Sequence, residues 1–201
     1  MPNPPPTTPH RTPTGSIAPG YFEALYAAEA DPWDYATSDY EAEKYAATLA
    51  ALPAGRFANA LEIGCSIGVL TELLAPRCDA LTAVDVAPAA LARARARLAR
   101  LDHVRVQRAV VPDETPEGPF SLVVLSEVGY YLARPDLTAL RSRLAAAVVP
   151  GGALVLVHYT GETDYPLSAA DVHDAFLSDA AWRPVCGADG ERYRLDVATR
   201  A

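Results

Sequence analysis

The sequence predicts an α/β protein: a Rossmann-like, doubly wound and mostly parallel sheet of about seven strands, preceded by a helical cap and closed by an antiparallel hairpin. Three observations carry this. From Asn59 onward, short apolar runs alternate with segments of helical period, the pattern of a parallel sheet covered on both faces. A Gly-containing turn, Leu61 to Gly68, joins the first run to its helix. Asp189-Gly190, a hairpin signal, separates the last two runs.

Each element has its own justification. Seven of the 18 prolines fall in the first 20 residues, without hydrophobic periodicity, so residues 1–17 are expected to form a disordered leader. From Tyr21, apolar and aromatic residues recur at helical spacing, broken at Asp31-Pro32 where proline cannot continue a helix. Two helices ending at Pro53-Ala54-Gly55 are predicted, and residues 18–55 are read as a cap on a domain spanning 56–201. Strands are predicted at Asn59–Gly64, Ala80–Asp85, His103–Val111, Phe120–Ser126 and Ala153–Tyr159. The intervening helices are Val69–Ala75, Pro88–Leu101 and Asp136–Val148, the last ended by the turn Pro150-Gly151-Gly152. The tail reads as a helix, Ala169–Leu177, then strands Trp182–Cys186 and Arg192–Ala198. The arginines of the second of these helices are spread around it, as on a solvated surface.

Composition narrows the function. A chain of 201 residues, 50% apolar, buries one core and leaves no room for a second catalytic domain. With 25 acidic residues against 17 Lys and Arg, the net charge of −8 repels phosphate backbones and anionic lipid, so neither nucleic acid nor membrane is an expected partner. No apolar run approaches the roughly 20 residues of a spanning helix, and the first residues lack the pattern of a signal peptide. The three cysteines, Cys65, Cys78 and Cys186, form no disulfide or zinc pattern, so a cytoplasmic location without a metal is expected. A monomer is the expected state.

The chemistry lies in Glu62-x-Gly64-Cys65-Ser66-x-Gly68, between the first strand and its helix, where small residues let backbone approach a nucleotide. Asp85 ends the second strand, the position from which a carboxylate accepts hydrogen bonds from ribose hydroxyls. A pyrophosphate-binding loop would need a different glycine pattern and would be opposed by Glu62, which suits a cationic ligand. These residues resemble the cofactor core of class I S-adenosylmethionine-dependent methyltransferases. Phe120 to Glu127 is similar to that family's fourth-strand motif, and Val149-Pro150-Gly151-Gly152 to its turn before strand five. The resemblance implies S-adenosyl-L-methionine as cofactor.

A narrower resemblance covers nearly the whole chain. Asp31-Pro32-Trp33-x-Tyr35-x-x-Ser38-x-Tyr40-Glu41-x-x-Lys44-Tyr45, Leu61 to Thr71, Ser126-Glu-Val-x-Tyr-Tyr-Leu132 and Thr163-Asp-Tyr-Pro-Leu167 are similar to the NodS-type nodulation methyltransferases. That likeness implies methylation of a free amino group on an amino sugar, such as a deacetylated chitooligosaccharide. Alternatives are an O-methyltransferase of a small natural product, which needs a stronger base or a metal, and a non-catalytic module that holds the cofactor. RNA 3′-end methylation is disfavoured by the sequence after Glu127 and by the acidic charge.

Roles follow from these likenesses. Glu62, Gly64, Cys65, Ser66 and Gly68 form the cofactor loop, Asp85 binds ribose, and Val86, Ala109, Val110 and Ser126 line the cofactor. Ser66 stands where the family has its middle glycine, and Val110 where many members carry an acid near the adenine amino group. Adenine recognition is therefore expected from the backbone of Ala109 and Val110. Lys44 and Tyr40 are expected at the methionyl carboxylate, and Trp33 and Tyr35 over the cofactor or acceptor. Because the methyl group arrives already activated, the protein needs chiefly to hold an unprotonated amine in line. His158 or Glu127, at strand ends facing the crevice, is the expected base or orienting group. Tyr130, Tyr131, Asp164 and Tyr165 are expected acceptor contacts, Gly129 is read as widening the acceptor side, and His173 and Cys65 are read as structural.

Overall fold

A computed structural model describes residues 10–201. The expectation for residues 1–9 lies outside them. The elements are α1 (Pro19–Ala28), α2 (Asp39–Ala51), β1 (Ala60–Ile63), α3 (Val69–Leu74), β2 (Leu81–Asp85), α4 (Pro88–Arg97), β3 (Val104–Arg108), β4 (Phe120–Ser126), α5 (Arg134–Ala147), β5 (Val148–Tyr159), α6 (Ala169–Leu177), β6 (Trp182–Asp189) and β7 (Tyr193–Arg200). Short 3-10 turns at Ala75–Arg77 and Gly129–Tyr131 complete them.

The seven strands form one sheet in the order β3-β2-β1-β4-β5-β7-β6. The first five are parallel, and β7 runs antiparallel between β5 and β6. This is the Rossmann-like sheet with its terminal hairpin that the alternation of runs predicts. Because the pleat alternates side chains, successive residues of one strand feed different cores. Leu61, Ile63, Val123 and Leu125 pack with α1, α4, α5 and α6, while Ala60, Leu122 and Val124 pack with Tyr45 of α2 and with Leu70 and Leu74 of α3. Strand order reverses at β1, where Ile63 pairs with Val84 on one side and Leu125 on the other. The loops leaving β1, β2 and β4 therefore open into one crevice at the carboxyl ends.

The structure corrects three expectations. The leader does not run to Ile17: Arg11 and Ile17 form an antiparallel bridge, and Ser16 and Ile17 are buried. The Gly15 N–H donates to Thr12 O (2.9 Å), closing a turn with Pro13 at its second position. Pro150-Gly151-Gly152 does not interrupt the sheet; β5 begins at Val148, which pairs with Phe120 ahead of a register shift. The outer parallel strand β3 is not covered on both faces, since all of its residues are partly or fully exposed at the sheet edge. Among the described residues no helix is long and apolar enough to cross a membrane.

Candidate active site

The loop after β1 is built on left-handed backbone. Gly64 and Gly68 have φ of +85° and +83°, and Ser66 between them has φ of +51°. A side chain at Gly64 would collide with Val128 and lie 3.2 Å from Ser126 O, so the β1 and β4 turns can close together only without one. Ser66 accepts a conformation that glycine adopts more cheaply, and its hydroxyl is shared with Tyr26 of α1 at 2.5 Å. The substitution at the middle loop position thus ties the cap to the loop. The Asp85 carboxylate accepts N–H bonds from Ser66 and Ala87, each at 2.9 Å. Burial pushes its pKa up, against those backbone donors, which hold it down.

These groups face a cavity of about 400 Å³. Gly64, Ser66, Asp85, Val86, Ala109, Val110, Ser126, Glu127, Trp33 and Tyr131 all line it, so the structure brings together most of the residues that the sequence assigned. Gly68 lies behind the lining, opening α3. A narrower recess shares Gly64, Ser66, Ser126 and Glu127 with the main cavity and reaches Glu62 and Cys65. Glu62 is buried with the Thr71 hydroxyl beside its carboxyl, but neither its Oε2 nor that hydroxyl has a partner in full hydrogen-bond geometry among the described residues. Burial raises the Glu62 pKa to about 7, with Thr71 opposing and the charge of Asp85 adding to the rise. Burial also pushes the Cys65 thiol up, which makes it inert. The Val110 N–H already donates to Glu114 (2.7 Å), which removes one backbone donor that the adenine reading relied on.

The assigned cation is already paired. Lys44, 1% exposed, places its ammonium 2.6 Å from Glu127 Oε1 and 2.9 Å from Glu41. Those two carboxylates raise its pKa despite burial, so it stays charged and saturated rather than open to a ligand carboxylate. Tyr40 is further removed, donating to Arg192 O (3.1 Å) and packing on Tyr193. Glu127 sits in left-handed backbone at φ of +57°. Its Oε2 accepts from the Tyr130 hydroxyl and from the Tyr159 N–H (3.0 Å). Its side chain is thus turned into the cavity wall with both oxygens engaged.

His158 does not face the crevice. It is fully buried, and its Nε2 accepts the Gly129 N–H at 3.0 Å. A neutral ring with Nε2 as acceptor carries its proton on Nδ1, which then donates to His173 Nε2 (3.0 Å), and His173 Nδ1 donates to Asp196 (2.7 Å). Burial and the neighbouring His173 lower the His158 pKa well below the usual range. The ring is a prop for the Gly129 turn, not a base. Gly129 is correspondingly tight: a side chain there would lie 2.5 Å from Val172 and 3.0 Å from His158 Nε2, which reverses the reading that it widens the acceptor side.

Of the expected acceptor contacts, Tyr131 lines the cavity, while Tyr130 and Tyr165 stack behind it, with ring centroids 5.1 Å apart. Asp164 is exposed, and its carbonyl holds Arg11 (3.0 Å). Sequence reasoning missed the segment Thr12–Ile17, which forms a wall of the cavity together with Phe22, Tyr26 and Asp136. The turn signature Thr12-Pro13-Thr14-Gly15 was the available signal, submerged in the surrounding prolines.

Comparison with known proteins agrees with this geometry. Residues 24–155 match the family described as nodulation protein S (NodS). The chain is 39% identical over 133 residues to nodulation protein S of Sinorhizobium fredii, covering 64% of this chain and 60% of that protein. It is 39% identical over 129 residues to that of Rhizobium tropici, covering 62% and 53%. The chain thus spans little more than half the length of the curated relatives it matches. The solved N-methyltransferase NodS from Bradyrhizobium japonicum WM9, in complex with S-adenosyl-L-homocysteine, superposes with a TM-score of 0.77 at 28% identity, covering 86% of this chain and 93% of that one. With the sheet order, the loop and the acidic residue ending β2 all in place, the chain belongs to the NodS family.

Proposed function

We propose that this protein is an S-adenosylmethionine-dependent methyltransferase acting on a free amino group of an amino sugar or oligosaccharide. The observation that carries the reading is the charge of the cavity. Among the described residues, Asp85, Asp113, Glu127 and Asp136 line it and no Lys, Arg or His does, while Lys44, behind the wall, balances Glu127 alone of these acids together with Glu41. Such a wall favours a cationic cofactor and a basic acceptor, and it disfavours an anionic one.

The residues fit the cofactor. The left-handed loop leaves room for a ligand against the backbone, Asp85 stands where ribose hydroxyls donate, and the orphaned Glu62 oxygen offers the ammonium group a partner. When bound, the cofactor supplies a methyl group on a sulfonium, ready for in-line displacement. The chain then has to place the nucleophile and keep water out. Trp33 and Tyr131 provide apolar walls, and Glu127, held by the Lys44 ammonium and the Tyr130 hydroxyl, offers a fixed acceptor for an N–H of a neutral amine while Lys44 balances its charge. An amino-sugar nitrogen, which titrates near neutrality, loses its proton to solvent without a dedicated base. An alcohol would need the base that His158 does not provide.

A methyl-release assay with deacetylated and fully N-acetylated chitooligosaccharides tests this. Turnover is expected on the free amine alone; equal turnover on the acetylated compounds would overturn the proposal.

A further inference from the structure

The 3-10 turn Gly129–Tyr131, which follows β4, carries one wall of the cavity. The Tyr131 carbonyl accepts the Ile17 N–H (2.9 Å) and so holds the segment before α1, while the Tyr130 carbonyl accepts the Leu167 N–H (3.2 Å). The Tyr130 hydroxyl donates to Glu127, which lines the cavity as Tyr131 does. The first N–H of such a turn has no partner within it, and here that group, on Gly129, is buried. Its acceptor is Nε2 of His158, on the neighbouring strand β5.

That acceptor exists in only one neutral form of the ring. A proton on Nε2 would set two donors against each other at 3.0 Å. Histidine free in water favours its proton on Nε2, so the form this turn needs is the less populated one, and the hydrogen bond at the other nitrogen has to select it. His173 on α6 does so by presenting its bare Nε2 3.0 Å from His158 Nδ1. In the neutral ring that lone pair requires a proton on the far nitrogen, Nδ1 of His173. Asp196 on β7 secures that proton: its Oδ2 lies 2.7 Å away, and Arg194 Nε donates to the same oxygen at 2.7 Å. Both rings are buried, so solvent does not compete for their nitrogens. Each donor thus meets one acceptor in a chain that runs from the carboxylate to the turn. Packing alone would be met by apolar side chains; a directional chain of two rings and a carboxylate fixes a proton position as well.

We infer that Asp196 and His173 are positioning residues for methyl transfer: they fix the tautomer of His158, which caps the Gly129 turn and thereby sets Tyr131 and Glu127 toward the acceptor. Neither Asp196 nor His173 lines the cavity, so both act through His158. This rests on the methyltransferase reading and assigns it residues outside the site.

The test combines nitrogen NMR of the full chain, labelled at its histidines, with methyl-transfer kinetics on a deacetylated chitooligosaccharide. In the wild type, His158 and His173 are both expected to be neutral and protonated at Nδ1. Asp196→Leu fills the space without an acceptor, and His173→Phe keeps a ring but breaks the chain. Each should shift the His158 proton from Nδ1 and lower kcat/KM by about tenfold, the worth of one hydrogen bond to a buried donor. Asp196→Asn still offers an oxygen to His173 and should keep both the tautomers and most of the activity, which a role confined to the Arg194 ion pair would not allow. S-adenosylhomocysteine affinity checks the folding of each variant, and if either Asp196→Leu or His173→Phe fails to fold, the other decides. A wild-type His158 protonated at Nε2, or unchanged kcat/KM in a folded Asp196→Leu or His173→Phe variant, would overturn the inference while leaving the proposed function intact. No methyl transfer by the wild type would overturn the proposed function and, with it, this inference.

Discussion

Glu62 shows how one residue can cost stability in exchange for binding. Its carboxyl is buried, one oxygen lacks a partner, and its pKa rises from 4.5 to about 7. Since the folded-state pKa lies above that of the unfolded chain, the stability associated with the protonated form is complete below about pH 4.5 and lost as pH rises through about 7. Replacing the carboxyl with an amide removes the ionisation, so Glu62→Gln should be more stable than wild type at about pH 8, by up to ~3 kcal/mol, and no more stable at about pH 4. Urea unfolding at the two pH values measures this, and a variant less stable at both would refute the assignment of a strained, unpaired carboxylate. Ser66 is the opposite case, in which a left-handed residue recovers part of its cost through the hydroxyl of Tyr26. The acidic and small residues of this loop were legible in the sequence because their spacing is local. The Tyr26 contact was not, because it joins residues of two separate elements.

At the scale of elements, α2 is fastened to the loop after β4 by charge. Lys44 lies between Glu41, one turn earlier on its own helix, and Glu127, which arrives on left-handed backbone after β4. A buried ion cluster of this kind is weak evidence of net stability, but removing its only cation strands two carboxylates. Lys44→Met should therefore lose about 3 to 5 kcal/mol in urea unfolding, and a loss below about 1 kcal/mol would show that the cluster is solvated. The motif containing Lys44 was visible in the sequence, but its use was misread. Helical spacing puts Glu41 and Lys44 on one face, yet only the sheet order brings Glu127 to meet them. The same holds for His158, whose place at the end of β5 suggested the crevice. Its neighbours on α6 and β7, His173 and Asp196, draw the ring into the interior instead. The strands and helices themselves were readable because each is coded by local periodicity, whereas side-chain direction at a strand end depends on what packs over it.

Across the whole molecule, the excess of acidic residues takes on a specific meaning. Part of the net charge of −8 is concentrated on a single cavity at the point where strand order reverses, enclosed by a cap of two helices and a strap from the preceding segment. Family membership and the sheet topology account for why the cavity lies there. Everything rests on the cavity being an S-adenosylmethionine site built on the β1 loop and Asp85. Titration calorimetry with S-adenosylmethionine on the wild type and on Asp85→Ala addresses that directly. Binding is predicted for the wild type, weakened by about tenfold or more in the variant as the ribose acceptor is lost. No binding by the wild type, or equal affinity in the two proteins, would contradict it.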